Sequence, residues 1–300
     1  MKITTKVIEK ALGDLSIKTQ RMYTGADLDM REVRVVQTEL DFNASTEERF
    51  SKDNGITWSE YKPVEDYLER DGEKEILKFT SAVVPNAVTG HVYRMVMQRV
   101  FLYDHKKAYK HYWTTGVMDW RDHTYLEMSI DDGKTYSEKI LLAYEDKDGL
   151  DFNHGYHGTN IEIDENGTVY VCICAPLESV CRAYSLEASQ YAISPVVTKA
   201  VIVFSLKYNG DNYDIKASQP VIISDAKSSR GLLEPNIMKL SDGTLMLECR
   251  GSNAMSDGWK TRMTDGTPSH RWMSYSSDGL NFTKPVPMTY DTGKAFYSPS

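Results

Sequence analysis

The feature that most limits how this chain folds is a short pattern recurring at a near-constant interval. Residues 51–58 read SKDNGITW and residues 129–136 read SIDDGKTY, and both fit Ser-x-Asp-x-Gly-x-Thr-aromatic. Residues 275–282, YSSDGLNF, keep the Gly, a polar residue two later and an aromatic three later; residues 206–213, LKYNGDNY, do so more weakly. The glycines are Gly55, Gly133, Gly210 and Gly279, at intervals of 78, 77 and 69 residues. Each copy has the chemistry of a hairpin: Asp, Asn and Gly supply the left-handed backbone that a tight turn needs, and the Asp carboxylate can accept N–H groups within it. The closing aromatics (Trp58, Tyr136, Tyr213 and Phe282) are placed to pack on a neighbouring strand. A strand-like segment precedes each turn (EERF, YLEM, VIVF, RWMS), and others such as EKILLAY and QPVIIS follow. The pattern predicts an all-β chain of repeated antiparallel units, each of about 75 residues.

Other segments agree. NIEIDENGTVYVCICA reads as two strands around a turn at Glu165-Asn166-Gly167, and NIMKLSDGTLMLECR repeats the design around Asp242-Gly243. Long amphipathic helices are absent; VEDYLERDGEKEILKF is a weak helical hint. The connections 101–123, 176–199 and 251–269 are long and polar, the kind that crown one end of a sheet assembly and build a site.

Composition narrows the function. Lys+Arg 35 against Asp+Glu 43 gives a net charge of −8, and no basic run occurs. That argues against general nucleic-acid binding. No apolar stretch is long enough for a bilayer, so no membrane partner is expected. The N-terminus, MKITTKVIEKALGDLSIKTQ, has no apolar signal region, which predicts a cytoplasmic protein, or a secreted or periplasmic one if a leader is missing. Cys172, Cys174, Cys181 and Cys249 form no zinc-ribbon spacing and no disulfide framework, and read as reduced, buried thiols. Nothing in the sequence calls for a metal or another cofactor. The 19 tyrosines, 8 phenylalanines and 5 tryptophans suit strand-rich packing and can also stack on sugar rings.

The repeated pattern resembles the Asp-box, or BNR repeat, of the sialidase (neuraminidase) superfamily. That resemblance implies a β-propeller of four-stranded antiparallel blades, with the box as a turn on the outer part of each blade. It gives Asp53 and Asp131 a structural role. Six blades are expected of the family, and this length holds four to five. The expectation is therefore a single propeller domain, 1–300, that is incomplete at its C-terminal end.

Residues 231–253, GLLEPNIMKLSDGTLMLECRGSN, resemble the fourth-blade stretch of sialidases. The resemblance makes Glu234 the candidate base that activates a Tyr nucleophile, and Arg250 one of the arginines that clamp a substrate carboxylate. A guanidinium fork suits a carboxylate because it donates two parallel bonds. A Tyr nucleophile is a known exception to the two-carboxylate rule of glycoside hydrolysis. The family's Arg-Ile-Pro motif is missing; Arg31 and Arg34 are the nearest substitutes, and Asp41 or Asp119 the candidates for its acid/base Asp.

A second cluster is unlike an ordinary sialidase. DFNHGYHGTN places His154 and His157 around Gly155, Tyr156 and Gly158, which suits acid/base work or substrate contact near neutral pH. Its glycines are expected to let the backbone approach a ligand. MDWRDHTY adds Trp120 and Arg121 as a candidate sugar subsite, with Tyr112 and Trp113 near it in sequence; SHRWMS offers Arg271 and Trp272, with Arg271 expected to pair within its own sheet. The function expected is a sialidase-like exo-glycoside hydrolase acting on an acidic or decorated glycan. The alternatives are a polysaccharide lyase or other His-dependent carbohydrate-active propeller, and a propeller that binds glycan or protein without catalysis.

Overall fold

The computed structural model describes residues 16–24, 29–37, 44–63, 68–80, 83–115, 119–136, 138–145, 151–152, 155–158, 160–176, 199–224, 227–228, 231–251 and 269–297. The chain forms two compact units, Met1–Asp66 and Tyr67–Ser300.

The first unit is one antiparallel meander of β1 (Ser16–Tyr23), β2 (Met30–Gln37), β3 (Ala44–Ser51) and β4 (Lys62–Pro63). Charge pairs lie directly across its strands. Glu32 is fully buried and sits opposite both Arg21 and Arg49. It accepts bonds from Arg21, from Arg49 at 2.6 Å and from the Tyr61 hydroxyl at 2.5 Å. Burial pushes its carboxyl up, but the Tyr61, Arg21 and Arg49 donors outweigh burial and hold it below the usual range. Arg31 and Arg34 donate to Glu48 and Glu47 at 2.8 and 2.7 Å. The two arginines that stood in for the missing motif are thus engaged within their own sheet.

The second unit contains three larger sheets. The first has β5 (Leu68–Asp71), β6 (Lys74–Thr80), β7 (Val84–Pro85), β8 (Val92–Phe101), β9 (Trp120–Ser129) and β10 (Glu138–Leu141), in the order β10-β9-β8-β6-β5 with β7 also on β8. Helix α1 (His105–Thr115) lies between β8 and β9. A small pair, β11 (Tyr144–Glu145) and β12 (Asp151–Phe152), follows. The next sheet has β13 (Tyr156–His157), β14 (Glu162–Ile163), β15 (Val169–Pro176), β16 (Lys199–Tyr208) and β17 (Tyr213–Ala217), with β13 and β14 both on β15. The last is β18 (Leu232–Lys239), β19 (Leu245–Gly251), β20 (Arg271–Ser276) and β21 (Val286–Pro287).

The β15–β16 sheet is buried on both faces, which explains the near-continuous apolar run of VYVCICA. Val169, Val171 and Ile173 join a core with Tyr93, Met95 and Leu126 of the preceding sheet. Cys172 and Cys174 alternate to the other face and join Leu232, Leu247, Cys249 and Trp272 of the following one. Cys172, Cys174 and Cys249 are buried and in no disulfide, and burial pushes Cys172 and Cys249 up; Cys181 lies outside the described residues. The helical hint at 64–79 is corrected. Its described part is the β5–β6 hairpin, turning at Gly72 with φ 62°, where a left-handed residue ends any helical path. The described helix instead falls within the connection 101–123. Among the described residues no helix is long and apolar enough to cross a membrane.

The recurring turns join the third and fourth principal strands of each of the four larger sheets. In the second copy, the Ser129 hydroxyl accepts the Gly133 N–H at 2.8 Å and donates to Asp131 at 2.6 Å. Asp131 accepts both the Thr135 N–H (2.8 Å) and its hydroxyl (2.6 Å). Ser51, Asp53, Gly55 and Thr57 repeat this in the first unit, with bonds of 2.8, 2.8, 2.8 and 2.6 Å. Asn54 and Asp132 have φ of 57° and 59°, the left-handed region that Asn and Asp tolerate best among residues with a side chain. The copy at Ser276–Asp278–Gly279 is one residue shorter, and the side chain of Asn281 replaces the Thr hydroxyl at 2.9 Å. At 206–213 only an Asn209-centred turn remains.

The hydrogen bonds of Ser129 and Thr135 hold the Asp131 carboxyl down at about 2. A carboxylate with a depressed folded-state pKa stabilises above its unfolded value, near 3.8, and loses that contribution as pH falls toward 2. The variant Asp131→Asn is therefore expected to melt below the wild type at pH 7, with the gap closing as pH is lowered toward 2. Thermal denaturation followed by circular dichroism across that range checks it; a gap independent of pH contradicts the assignment.

Candidate functional site

The last sheet carries a local irregularity that its neighbours in sequence explain. Along β18 and β19 the register runs Leu233 opposite Arg250 and resumes at Asn236 opposite Glu248, so Glu234 and Pro235 together face one residue of β19. This is a β-bulge, and it re-aims the side chain that it carries. Glu234 has φ 47°, in the left-handed region. For a non-glycine residue that costs about 1–3 kcal/mol, and such strain concentrates at functional sites. Pro235 supplies no N–H, so that position of the bulge adds no backbone donor to satisfy.

The bulge turns Glu234 onto Arg250. Arg250 Nη1 donates to Glu234 Oε1 at 2.8 Å, with the two side chains 24% and 39% exposed. Arg250 Nε is buried and has no hydrogen-bond partner among the described residues. Nε can only donate, so it calls for an acceptor that the described residues do not supply. Arg271, across the ladder from Arg250, is committed to Glu248 at 2.8 Å, as expected of an in-sheet pair. Arg250 thus gives Nη1 to Glu234, while its Nε has no acceptor among the described residues.

The segment 155–158 abuts this bulge. A Cβ on Gly158 would lie 2.8 Å from the Pro235 carbonyl and 3.1 Å from that of Cys172; a Cβ on Gly155 would lie 2.6 Å from the Ile173 side chain. The sequence expectation that these glycines admit a ligand is corrected: they admit neighbouring strands. Asn160 continues the contact by pairing with β18 as a backbone would, accepting the Ile237 N–H at 2.9 Å and donating to its carbonyl at 2.6 Å. On the other side, the Thr124 hydroxyl of β9 donates to the Gly155 carbonyl at 2.7 Å.

The other candidates fall as follows. His157 and Tyr156 form β13, paired with Ile173 and Cys174 of β15, so their backbone lies one residue from Gly158 and its contact with Pro235. His154 lies outside the described residues, as does Asp41. Trp120 is 3% exposed and packs against Phe101 and Tyr109 at centroid distances of 5.4 and 5.1 Å. That places it in the packing beneath α1 rather than on a surface offered to a sugar. Arg121, the next residue, is exposed on the opposite face of β9. Asp119 Oδ2 accepts the Tyr103 hydroxyl and lies 2.6 Å from His111 Nδ1. Burial, then the bond to Asp119, pushes Tyr103 up to about 12. Asp119 is thereby occupied in tying Tyr103, before α1, to His111 within it. Among the described residues no group of three or more His, Cys, Asp or Glu is placed to hold a metal.

Known structures share this architecture. Hadza microbial sialidase Hz136 superposes with a TM-score of 0.52 at 16% identity, over 88% of this chain and 45% of that one. The NanB sialidase from Streptococcus pneumoniae superposes with a TM-score of 0.50 at 10% identity, over 91% of this chain and 52% of that one. The fold is that of the sialidase-like β-propellers. The chain spans about half the length of these structures. No protein-family profile matches the sequence, and no curated protein matches it either.

The strain and the orphaned guanidinium nitrogen were not readable from the sequence. Glu-Pro before an alternating strand was the available signal, since a residue before Pro is restricted in backbone angle. One consequence is testable without any substrate. Glycine occupies φ near +50° freely, so Glu234→Gly is expected to be more stable than Glu234→Ala by about 1 kcal/mol. Urea denaturation of the two variants checks this; equal stability contradicts the strained bulge.

Proposed function

We propose that this chain is the site-bearing part of a carbohydrate-active propeller that hydrolyses a glycan by removing an acidic sugar from its end. The observation that carries this reading is the Glu234–Arg250 pair at the strained bulge, with Arg250 Nε unsatisfied. It is supported by the sialidase resemblance of residues 231–253 and by the shared fold. The turns at 51–58, 129–136 and 275–282 are read as Asp-boxes, which is what their Ser, Asp and Gly bonding suits, and the Asn209 turn as a degenerate copy.

In this reading Arg250 receives the sugar carboxylate on its free edge, while Glu234 holds the guanidinium from the other side. Glu234 then acts as base. It takes the proton of an attacking hydroxyl, a Tyr in the family it resembles, as that oxygen bonds to the anomeric carbon. The bond to the leaving glycosidic oxygen breaks, and that oxygen takes a proton from a general acid. Water then releases the sugar by the reverse proton transfers. The 155–158 segment sets the position of Glu234 through Pro235, and His157 is kept as a candidate substrate contact.

The test is turnover by the full-length gene product on aryl glycosides of N-acetylneuraminate and of uronic acids. Glu234→Gln is expected to lower kcat by about a hundredfold or more, the scale of a lost general base. Arg250→Lys removes the fork but keeps the charge, and is expected to act mainly on KM. Full activity in Glu234→Gln would move the chemistry elsewhere and favour the His-dependent lyase. Binding of these sugars with no turnover by the wild type would make the protein a recognition propeller.

A further inference from the structure

Helix α1 is built against its own local interest. Within the helix the first turn has no acidic residue. Lys106 and Lys107 stand there instead, where the positive end of the helix dipole repels them. Lys110 lies four and three residues further on, so like charges share one helical face. All three lysines are exposed, and among the described residues none of their ammonium groups makes an ion pair or hydrogen bond.

The helix is nevertheless held at three points on its other side. Asp104 caps it, accepting the Lys107 N–H at 2.9 Å. Buried Glu75 accepts the His105 N–H at 2.8 Å and lies 2.7 Å from its Nδ1. Ala108 and Tyr109 are buried, with Tyr109 against Phe101 and Trp120, and Arg99 joins Tyr109 at 3.2 Å while forking onto Asp122 at 2.7 and 2.8 Å. The anchors fix a helix that its own charges disfavour. Charge kept against local stability, in a chain of net charge −8, points to a ligand of opposite sign.

The position of α1 identifies that ligand. In each sheet of the second unit, the second strand ends and the third begins at the end that carries Glu234 and Arg250. The contacts of Thr124 with Gly155 and of Gly158 with Pro235 tie those ends together. α1 lies between β8 and β9 at that same end. We propose that the outward face of α1, carrying Lys106, Lys107 and Lys110, docks the continuing chain of a polyanionic glycan whose terminal sugar enters the Glu234–Arg250 site. This rests on the functional reading above and narrows its substrate to glycans with several acidic residues in a row. Lysines suit this role because mobile ammonium groups follow a chain of carboxylates without fixing its register.

The test uses the full chain and the variant Lys106→Ala/Lys107→Ala/Lys110→Ala. Calorimetric titrations are run with hexamers of galacturonate and of α2,8-linked sialic acid, the corresponding monomers and a neutral maltohexaose, at two salt concentrations. The wild type is expected to bind one acidic hexamer more tightly than its monomer, and less tightly in high salt. The triple variant is expected to bind that hexamer roughly tenfold more weakly at low salt, with a shallower salt dependence and unchanged monomer binding. Its melting temperature is expected to equal or exceed that of the wild type, because alanine relieves the repulsion. Equal hexamer affinity in the two proteins, or no binding of either acidic hexamer, overturns the proposal. So does a lower melting temperature, which would make the lysines structural, or equal binding of single-stranded DNA of matched charge. Failure of the functional reading shows separately, as monomer binding that ignores Arg250→Lys.

Discussion

The contact between the first strand segments of the β15–β16 sheet and β18 is the constraint on which the candidate site depends. Gly158 lets the two backbones meet, and the Asn160 side chain completes the pairing that β18 would otherwise lack on that edge. An amide can supply both a donor and an acceptor, so it substitutes for a missing strand residue. With that edge fixed, the extra residue in β18 has no room to relax by sliding, and the bulge places Glu234 on Arg250. A site built on strands in this way is held by two hydrophobic cores rather than by a loop.

Two places in the second unit break local rules while the surrounding structure obeys them. Glu234 adopts a backbone angle that suits glycine, and α1 gathers lysines where its dipole favours acids. Both lie at the same end of the sheets. Several other described features agree across levels. Strand alternation matches the two cores, the charges of the first unit pair across their strands, and the turn residues match the left-handed angles they adopt. Departures concentrated at one end of an otherwise consistent structure are what a functional surface looks like.

The architecture was largely legible in the sequence, because turn chemistry is local. Ser, Asp, Gly and Thr at fixed offsets bond to one another, so the pattern itself specified the hairpins and the strands beside them. The copy at 206–213 was read as weak, and its Asn209 turn indeed lacks the Ser and Thr bonds. The 64–79 segment misled because a charged run around one glycine serves a helix or an exposed hairpin equally well. The helix at 105–115 is hard to read because its described buried face is narrow, Ala108 and Tyr109, and its first turn carries lysines rather than acids. Glu234 and Arg250 are candidates through family resemblance, and their contact depends on a register shift that no local pattern encodes. The glycines at 155 and 158 were flagged correctly as close approaches but assigned to a ligand. Which body approaches a glycine is a tertiary fact.

The most direct measurement is a crystal structure of the protein soaked with N-acetylneuraminate or galacturonate. The account predicts the sugar carboxylate on the free edge of Arg250, accepting from Nε, with the Glu234 carboxylate still on Nη1 and the sugar ring over the bulge. A sugar bound with its carboxylate away from Arg250, or Arg250 turned from Glu234 into a different ion pair, would contradict it.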